Sequence, residues 1–250
     1  LRPPNMPTTQ KTRIKSFAFS RGRILARKYE VLAKLGQGWE GEVYKIREVG
    51  TNIERAAKVL LPHRNLKNRT AREFARKLYA LRECPMIIQY YTQETIMFRG
   101  EPVTALISEY VEGELLSDYT ARAPGKRLHV FQAVHLLHAL ASGIESIHAL
   151  GEYHGDIHDD NIIVRRVGLS YELKLLDPFY LGRVSQRETR NEDILSLIRV
   201  FYDCLGGRVH YHRLPAEVKA VCCGLKRTLI LRKFRDISAL RRHLETIVWG

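Results

Sequence analysis

Cysteine is scarce in this 250-residue chain, and the four present, Cys84, Cys204, Cys222 and Cys223, include an adjacent pair and match no zinc-ligand spacing. Free thiols in a reducing, cytoplasmic compartment are expected, with no disulfide and no metal held by sulfur. Long apolar runs are lacking as well. The best, residues 136–147, is broken by His138, Ser142 and Glu145 and falls short of the roughly 20 apolar residues that cross a bilayer, so no membrane partner is expected. The chain opens on Leu1, and residues 1–28 lack the apolar core of a secretory signal; no export is expected. Internal repeats and low-complexity tracts are absent. With 45% hydrophobic and 27% charged residues, the composition excludes a disordered, collagen-like or disulfide-stapled chain. A chain of this length buries roughly 70–75% of its unfolded surface, enough for one large domain or two small lobes around a shared cleft.

Acid is what the first residues lack altogether. Arg2, Lys11, Arg13, Lys15, Arg21, Arg23, Arg27 and Lys28 all precede Glu30, the first carboxylate, in a chain of net charge +14. Such a basic arm, residues 1–28, suits phosphates, nucleic acid or an acidic protein. The plainer alternative is a solvated tail that packs only through Ile14, Phe17, Phe19 and Ile24. A second basic cluster, Lys226, Arg227, Arg232, Lys233, Arg235, Arg241 and Arg242, reads as the solvated face of C-terminal helices.

What is present is a change of period. Short β-like runs at 29–35, 42–47, 55–60, 87–91 and 103–109 dominate the first part. One helix interrupts them over 70–84, where Phe74, Leu78 and Leu81 fall at i, i+4 and i+7 before Pro85. From Val130 the pattern is helical, apart from a hairpin around Gly168. A β-rich part joined near residues 109–114 to a helical part predicts an α+β, two-lobed molecule.

Three motifs carry chemistry. Gly36-Gln37-Gly38-Trp39-Glu40-Gly41-Glu42-Val43 follows a strand, and glycines so spaced let backbone N–H groups approach a polyphosphate. Because Glu42 to Ile46 reads as a returning strand rather than a helix, the motif is a hairpin cap over phosphates, not a dinucleotide fingerprint. Next, Arg55-Ala56-Ala57-Lys58-Val59-Leu60 places an inward lysine on a strand. A buried ammonium needs an anion, and Glu73 on the following helix is the candidate, although Thr70-x-x-Glu73 also fits a capping box. Last come Tyr153-His154-Gly155-Asp156-Ile157-His158-Asp159-Asp160-Asn161-Ile162-Ile163-Val164 and Leu173-Lys174-Leu175-Leu176-Asp177-Pro178-Phe179. Two carboxylates and an amide among β-like residues are oxygen ligands suited to Mg²⁺, with a base near a hydroxyl.

Together these motifs resemble the protein kinase superfamily over residues 29–206, and more loosely beyond. The resemblance implies a bilobal kinase-like fold, with an N-lobe at 29–109, a C-lobe at 110–250 and the arm ahead of both. It implies that Gly36, Gly38 and Gly41 cover the phosphates of ATP, that Val43 and Ala56 line the nucleotide, and that Lys58 held by Glu73 orients the α/β phosphates. Asp156 accepts the hydroxyl proton, and Asn161 and Asp177 hold Mg²⁺. Ser108 stands at the gatekeeper position, backbone at Glu109 and Val111 faces adenine, Glu114 reaches toward the ribose, and Asp193 braces the catalytic loop.

The chain departs from the family pattern in places. Gly155 replaces the usual Arg that reads a phosphorylated activation loop, so activity independent of loop phosphorylation is expected. His158 replaces the usual Lys, as a catalytic residue or a simple loop residue. The stretch between Asp177 and Asp193 is short and has no A-P-E match. His-Gly-Asp-x-His-x-x-Asn and Asp177-Pro178 also resemble small-molecule kinases of the aminoglycoside type. Three readings follow: a Ser/Thr protein kinase acting on a protein, a kinase acting on a small hydroxyl-bearing substrate, and a nucleotide-binding scaffold without turnover. Remaining histidines, His210 and His212 among them, read as loop or packed residues rather than metal ligands.

Overall fold

The structure is a computed structural model that describes residues 13–168, 170–178 and 185–249. Arg2 and Lys11 of the arm, and Phe179 to Gly182 after the second acidic motif, lie outside the described residues. The chain divides into two compact units, Leu1–Arg72 with Tyr91–Ser108, and Glu73–Tyr90 with Glu109–Gly250. These limits differ from boundaries at 28 and 109, because residues 13–28 belong to the first unit and 73–90 to the second.

The first unit is built on strands β1 (Ile24–Leu25), β2 (Tyr29–Gln37), β3 (Gly41–Glu48), β4 (Glu54–Leu60), β5 (Tyr90–Phe98) and β6 (Glu101–Glu109), in the sheet order β1-β2-β3-β4-β6-β5. Helix α1 (Arg69–Ala80) falls between β4 and β5. β3 pairs antiparallel with β4, Val43 opposite Lys58 and Lys45 opposite Ala56. Side chains alternate across a strand, so Val43, Ala56 and Lys58 share one face while Tyr44, Ala57 and Val59 turn to the other. That second face carries the core, with Tyr44, Ile46, Ala57, Val59, Ile96, Phe98 and Ile107 all buried.

The arm completes this core. Ile14, Phe17, Phe19 and Leu25 are buried with it, Phe17 and Phe19 stacking edge-on to Phe98 at 5.2 and 5.6 Å. Ile24, expected to pack, is instead 51% exposed: it alternates with Leu25 on β1, and Leu25 takes the inward position. Polar groups follow the same plan. Glu42, 1% exposed on the core face, accepts from Ser16 Oγ at 2.7 Å and from the backbone N–H groups of Phe17 and Ala18. It also accepts from the Tyr44 hydroxyl and pairs with Lys34 at 2.9 Å. Burial alone would raise its carboxyl, but these donors outweigh it and hold the group down to about 2.

Two departures from the sequence reading have local causes. The strand expected at 87–91 begins only at Tyr90, because Ile87 and Ile88 are both buried in the second unit's core rather than alternating, and Ile87 makes a single bridge to Leu175. The capping box at Thr70 is replaced by another device: the Thr70 hydroxyl donates to the Arg64 carbonyl at 2.7 Å, and Asn65 Oδ1 accepts the Ala71 N–H at 3.1 Å.

The second unit contains β7 (Glu114–Leu115), α2 (Leu116–Ala121), α3 (Val130–Ala149), β8 (Ile162–Val167), β9 (Ser170–Leu175), α4 (Gln186–Cys204), α5 (Gly207–His210), α6 (Ala216–Cys222), α7 (Arg227–Lys233) and α8 (Ile237–Glu245). Its small sheet runs β7-β8-β9. By length and composition α3 could cross a membrane. Here Val134, Leu137, Leu140, Ala141, Ile144 and Ile147 instead pack it into the core beside Ile194, Leu197, Ile198 and Phe201 of α4. Ser185 and Glu188 form a capping box at the start of α4, which fixes where that helix begins.

Candidate active site

In the first unit, the glycine motif is the turn between β2 and β3. Gly36 pairs with Val43 across it, and the Gly38 N–H donates to the Gly41 carbonyl at 2.9 Å. Gly41 presses on β4 so closely that a Cβ there would lie 2.1 Å from the Val59 carbonyl oxygen; only glycine fits. Lys58 lies below this turn with its side chain 12% exposed, paired at 2.7 Å with Glu40 of the turn itself. Within its own unit Lys58 forms this ion pair with a residue whose motif position marked it as turn rather than ligand.

In the second unit, a buried carboxylate organises the catalytic loop. Asp193 of α4, 1% exposed, accepts the backbone N–H groups of His154 at 2.9 Å and Gly155 at 2.8 Å, and the His148 side chain at 2.9 Å. Gly155 sits at φ +86°, a left-handed conformation in which side-chain-bearing residues are strained. Glycine takes this backbone path without that strain. His154 is fully buried, and burial lowers its pKa, keeping the imidazole neutral; its Nδ1 accepts the Asp156 N–H at 3.3 Å. Ile157, buried, pins the loop to the core, so that Asp156 projects outward.

Asn161 closes the loop. Its Nδ2 donates to the Asp156 carbonyl at 2.9 Å and to the Asp156 carboxylate at 3.2 Å, contacts that do not engage its Oδ1. The Asn161 carbonyl accepts the Leu176 N–H at 2.9 Å, which brings Asp177, the next residue, into the same neighbourhood. Asp177 takes φ +49°. His158 Nε2 lies 3.8 Å from the Asp156 carboxylate, an exposed pair. His158, Asp159 and Asp160 could gather ligand atoms around a cation, but exposed acids commonly cluster without one.

Also in the second unit, the Glu109 N–H donates to the Gln89 carbonyl at 2.8 Å. The Glu109 carboxylate accepts from Gln89 N–H and Lys174. Ser108 is buried, and Glu114 pairs with Arg122.

Lys77 went unnoticed in the sequence. One turn beyond Glu73 on α1, it is 6% exposed, pairs with Glu152, and its ammonium stands 3.7 Å from the centre of the Tyr153 ring. Its only sequence signal is its place beside the apolar stripe of Phe74, Leu78 and Leu81.

A sequence profile described as the protein kinase domain matches residues 29–197, and the chain belongs to that family. Its relatives include the serine/threonine-protein kinase pkn2 of Myxococcus xanthus, 30% identical over 158 residues, or 62% of this chain and 18% of that protein. STE20 of Saccharomyces cerevisiae is 28% identical over 162 residues, 64% of this chain and 16% of that protein. A putative CBL-interacting protein kinase 13 of Oryza sativa subsp. japonica is 31% identical over 170 residues, 67% and 31% of the two chains. The chain thus spans less than a third of the length of these relatives. Among solved structures, a double mutant of the Mycobacterium tuberculosis PknI kinase domain superposes with a TM-score of 0.66 at 19% identity, covering 91% of this chain and 98% of that one. That likeness establishes the kinase fold.

Proposed function

We propose that the chain transfers the γ-phosphoryl group of ATP to a serine or threonine hydroxyl of a protein. The observation that carries this reading is the arrangement at Asp156: its carboxylate is exposed, oriented by the Asn161 amide, on a loop whose backbone is held from below by Asp193. A base with little freedom of its own suits a reaction that depends on positioning. Asn161 Oδ1 and the Asp177 carboxylate are hard oxygen donors that fit Mg²⁺; the ion would neutralise charge on the phosphates. Lys58 would orient the phosphate chain under the backbone of Gly36 to Gly41, and Val43 and Ala56, on the same face as Lys58, would line the nucleotide.

In the step itself, the acceptor oxygen bonds to the γ-phosphorus as the bond to the β–γ bridging oxygen breaks. The hydroxyl proton passes to Asp156, and ADP departs with the displaced oxygen. Asp156→Asn keeps the Asn161 contact but cannot take the proton, so transfer should fall by about 10²–10⁴ while nucleotide affinity stays within about two-fold. Radiolabelled ATP offered with protein mixtures and with low-mass alcohols reads the acceptor class. Label in protein supports the proposal; label confined to small molecules moves it to the second reading, and Mg²⁺-dependent binding without transfer marks a scaffold.

One observation favours that second reading, a small hydroxyl-bearing substrate. α4 begins at Gln186, soon after Asp177, which leaves little chain for the platform on which protein kinases lay an extended peptide.

A further inference from the structure

Residues 13–20 of the arm form no helix or strand, and they meet the core of the first unit through Ile14, Phe17 and Phe19 while Arg13, Lys15 and Ser16 stay exposed. An irregular, exposed segment gives a modifying enzyme room to reach a side chain. Arginine three residues ahead of a serine and lysine one ahead are charges by which an acidic kinase cleft can select its acceptor. The Ser16 hydroxyl is nevertheless engaged. Its Oγ donates to Glu42 at 2.7 Å, and the same carboxylate accepts the backbone N–H groups of Phe17 at 3.3 Å and Ala18 at 3.2 Å. Ala18 takes φ +46°, a left-handed conformation unfavourable for a residue with a Cβ, so Glu42 secures the arm against its own backbone preference. Lys34 stands 2.9 Å from Glu42 and brings a single positive charge.

We propose that Ser16 is a phosphorylation site and that a phosphoryl group there frees the arm from the first unit's core. In the modification, Ser16 Oγ bonds to the γ-phosphorus of ATP as the bond to the β–γ bridging oxygen breaks. ADP leaves, and the hydroxyl proton passes to the base of the Ser/Thr kinase that acts. The esterified oxygen has no proton to give Glu42, and the new group adds about −1.5 to −2 of charge directly beside that carboxylate. Repulsion at this range exceeds what one hydrogen bond contributes, and Lys34 offsets only part of it. Ser16 must therefore move away from Glu42. The bonds from Phe17 and Ala18 go with it, and Phe17 and Phe19 leave their contacts with Phe98.

The test modifies the folded, full chain with Mg²⁺-ATP and a purified Ser/Thr kinase that selects arginine three residues ahead of its acceptor, and locates the phosphate by mass spectrometry. Chymotrypsin then reads the arm, because Phe19 is 6% exposed while the arm is seated. Expected is phosphate on Ser16 and cleavage after Phe19 faster by about a hundred-fold, with the rest of the chain intact. Ser16→Ala loses the hydrogen bond and gains no charge, so it should speed the same cut by about ten-fold at most. Phosphate on Glu42→Gln should add less than about ten-fold to that variant's own rate, since the opposing charge is gone. Absence of phosphate from Ser16 overturns the site. Phosphate with cleavage unchanged or slowed overturns the release, because the arm's cations then hold the modified residue in place. An undiminished effect in Glu42→Gln, or cuts spread over the whole chain, also overturns it: the cause is then not Glu42, or the fold itself is lost.

Discussion

A lysine is an expensive residue to bury, and Lys77 shows how the cost is met: a carboxylate from Glu152 and the face of Tyr153 together replace its water. Lys77→Ala removes both contacts and leaves Glu152 to rehydrate at its partly exposed site, so a loss of about 2 kcal/mol in unfolding free energy is expected by denaturant titration. Tyr153 leads directly into His154, Gly155 and Asp156. The same variant should therefore slow phosphoryl transfer more than it weakens nucleotide binding, a split that an unrelated loss of stability would not produce. Individual residues were also where sequence reasoning read best and worst. The closeness of Asp156 and Asn161 was legible because it depends on a short spacing within one loop, and the structure brings them into contact. Glu152 against Lys77, and Ser16 against Glu42, were not, because each pair is far apart in the chain and neither leaves a local pattern. Glu40 was legible as part of a motif but not as a residue that pairs with Lys58.

Strands were legible from short β-like runs. β2, β3, β4 and β6 fall close to their expected spans; burial alternates along β3, whereas β6 is buried on both faces from Ala105 to Ser108. β5 was displaced because an apolar pair at Ile87 and Ile88 imitates a strand while serving as a buried connection. The arm is the larger lesson at this scale. Its charges suggested an independent element, yet its apolar residues place it in the first unit's core, with Arg13, Lys15, Arg21, Arg27 and Lys28 left exposed between them. Phe17, 3% exposed, packs on Phe19 and Phe98 and brings its N–H to Glu42. Phe17→Ala should lower stability by about 3–4 kcal/mol, far more than loss of a solvated tail residue would. A shift of thermal midpoint below about 1 °C would show that the arm contributes nothing to the core.

Across the whole molecule, two buried groups set separate responses to acid. His154 titrates below its ordinary value of 6.5 in the folded chain because burial disfavours the charged form. The unfolded chain thus takes up the proton first, and stability falls as the pH drops through 6.5 and below. Glu42 titrates down at about 2 instead of 4.5, so its contribution is intact above 4.5 and is lost between 4.5 and about 2. Thermal melts taken from above pH 6.5 down to about 2 should show both declines. Glu42→Gln should abolish the lower one and leave the upper one unchanged; a Glu42→Gln protein that kept the full acid response would refute the assignment. A last consequence comes from Asp193, which gathers the N–H groups of His154 and Gly155 from a helix that follows them in the chain. During synthesis on the ribosome, the segment bearing Asp156 emerges before the residue that gives it shape. A nascent chain stopped short of Asp193 would already hold Asp156 and still lack the carboxylate that shapes its loop.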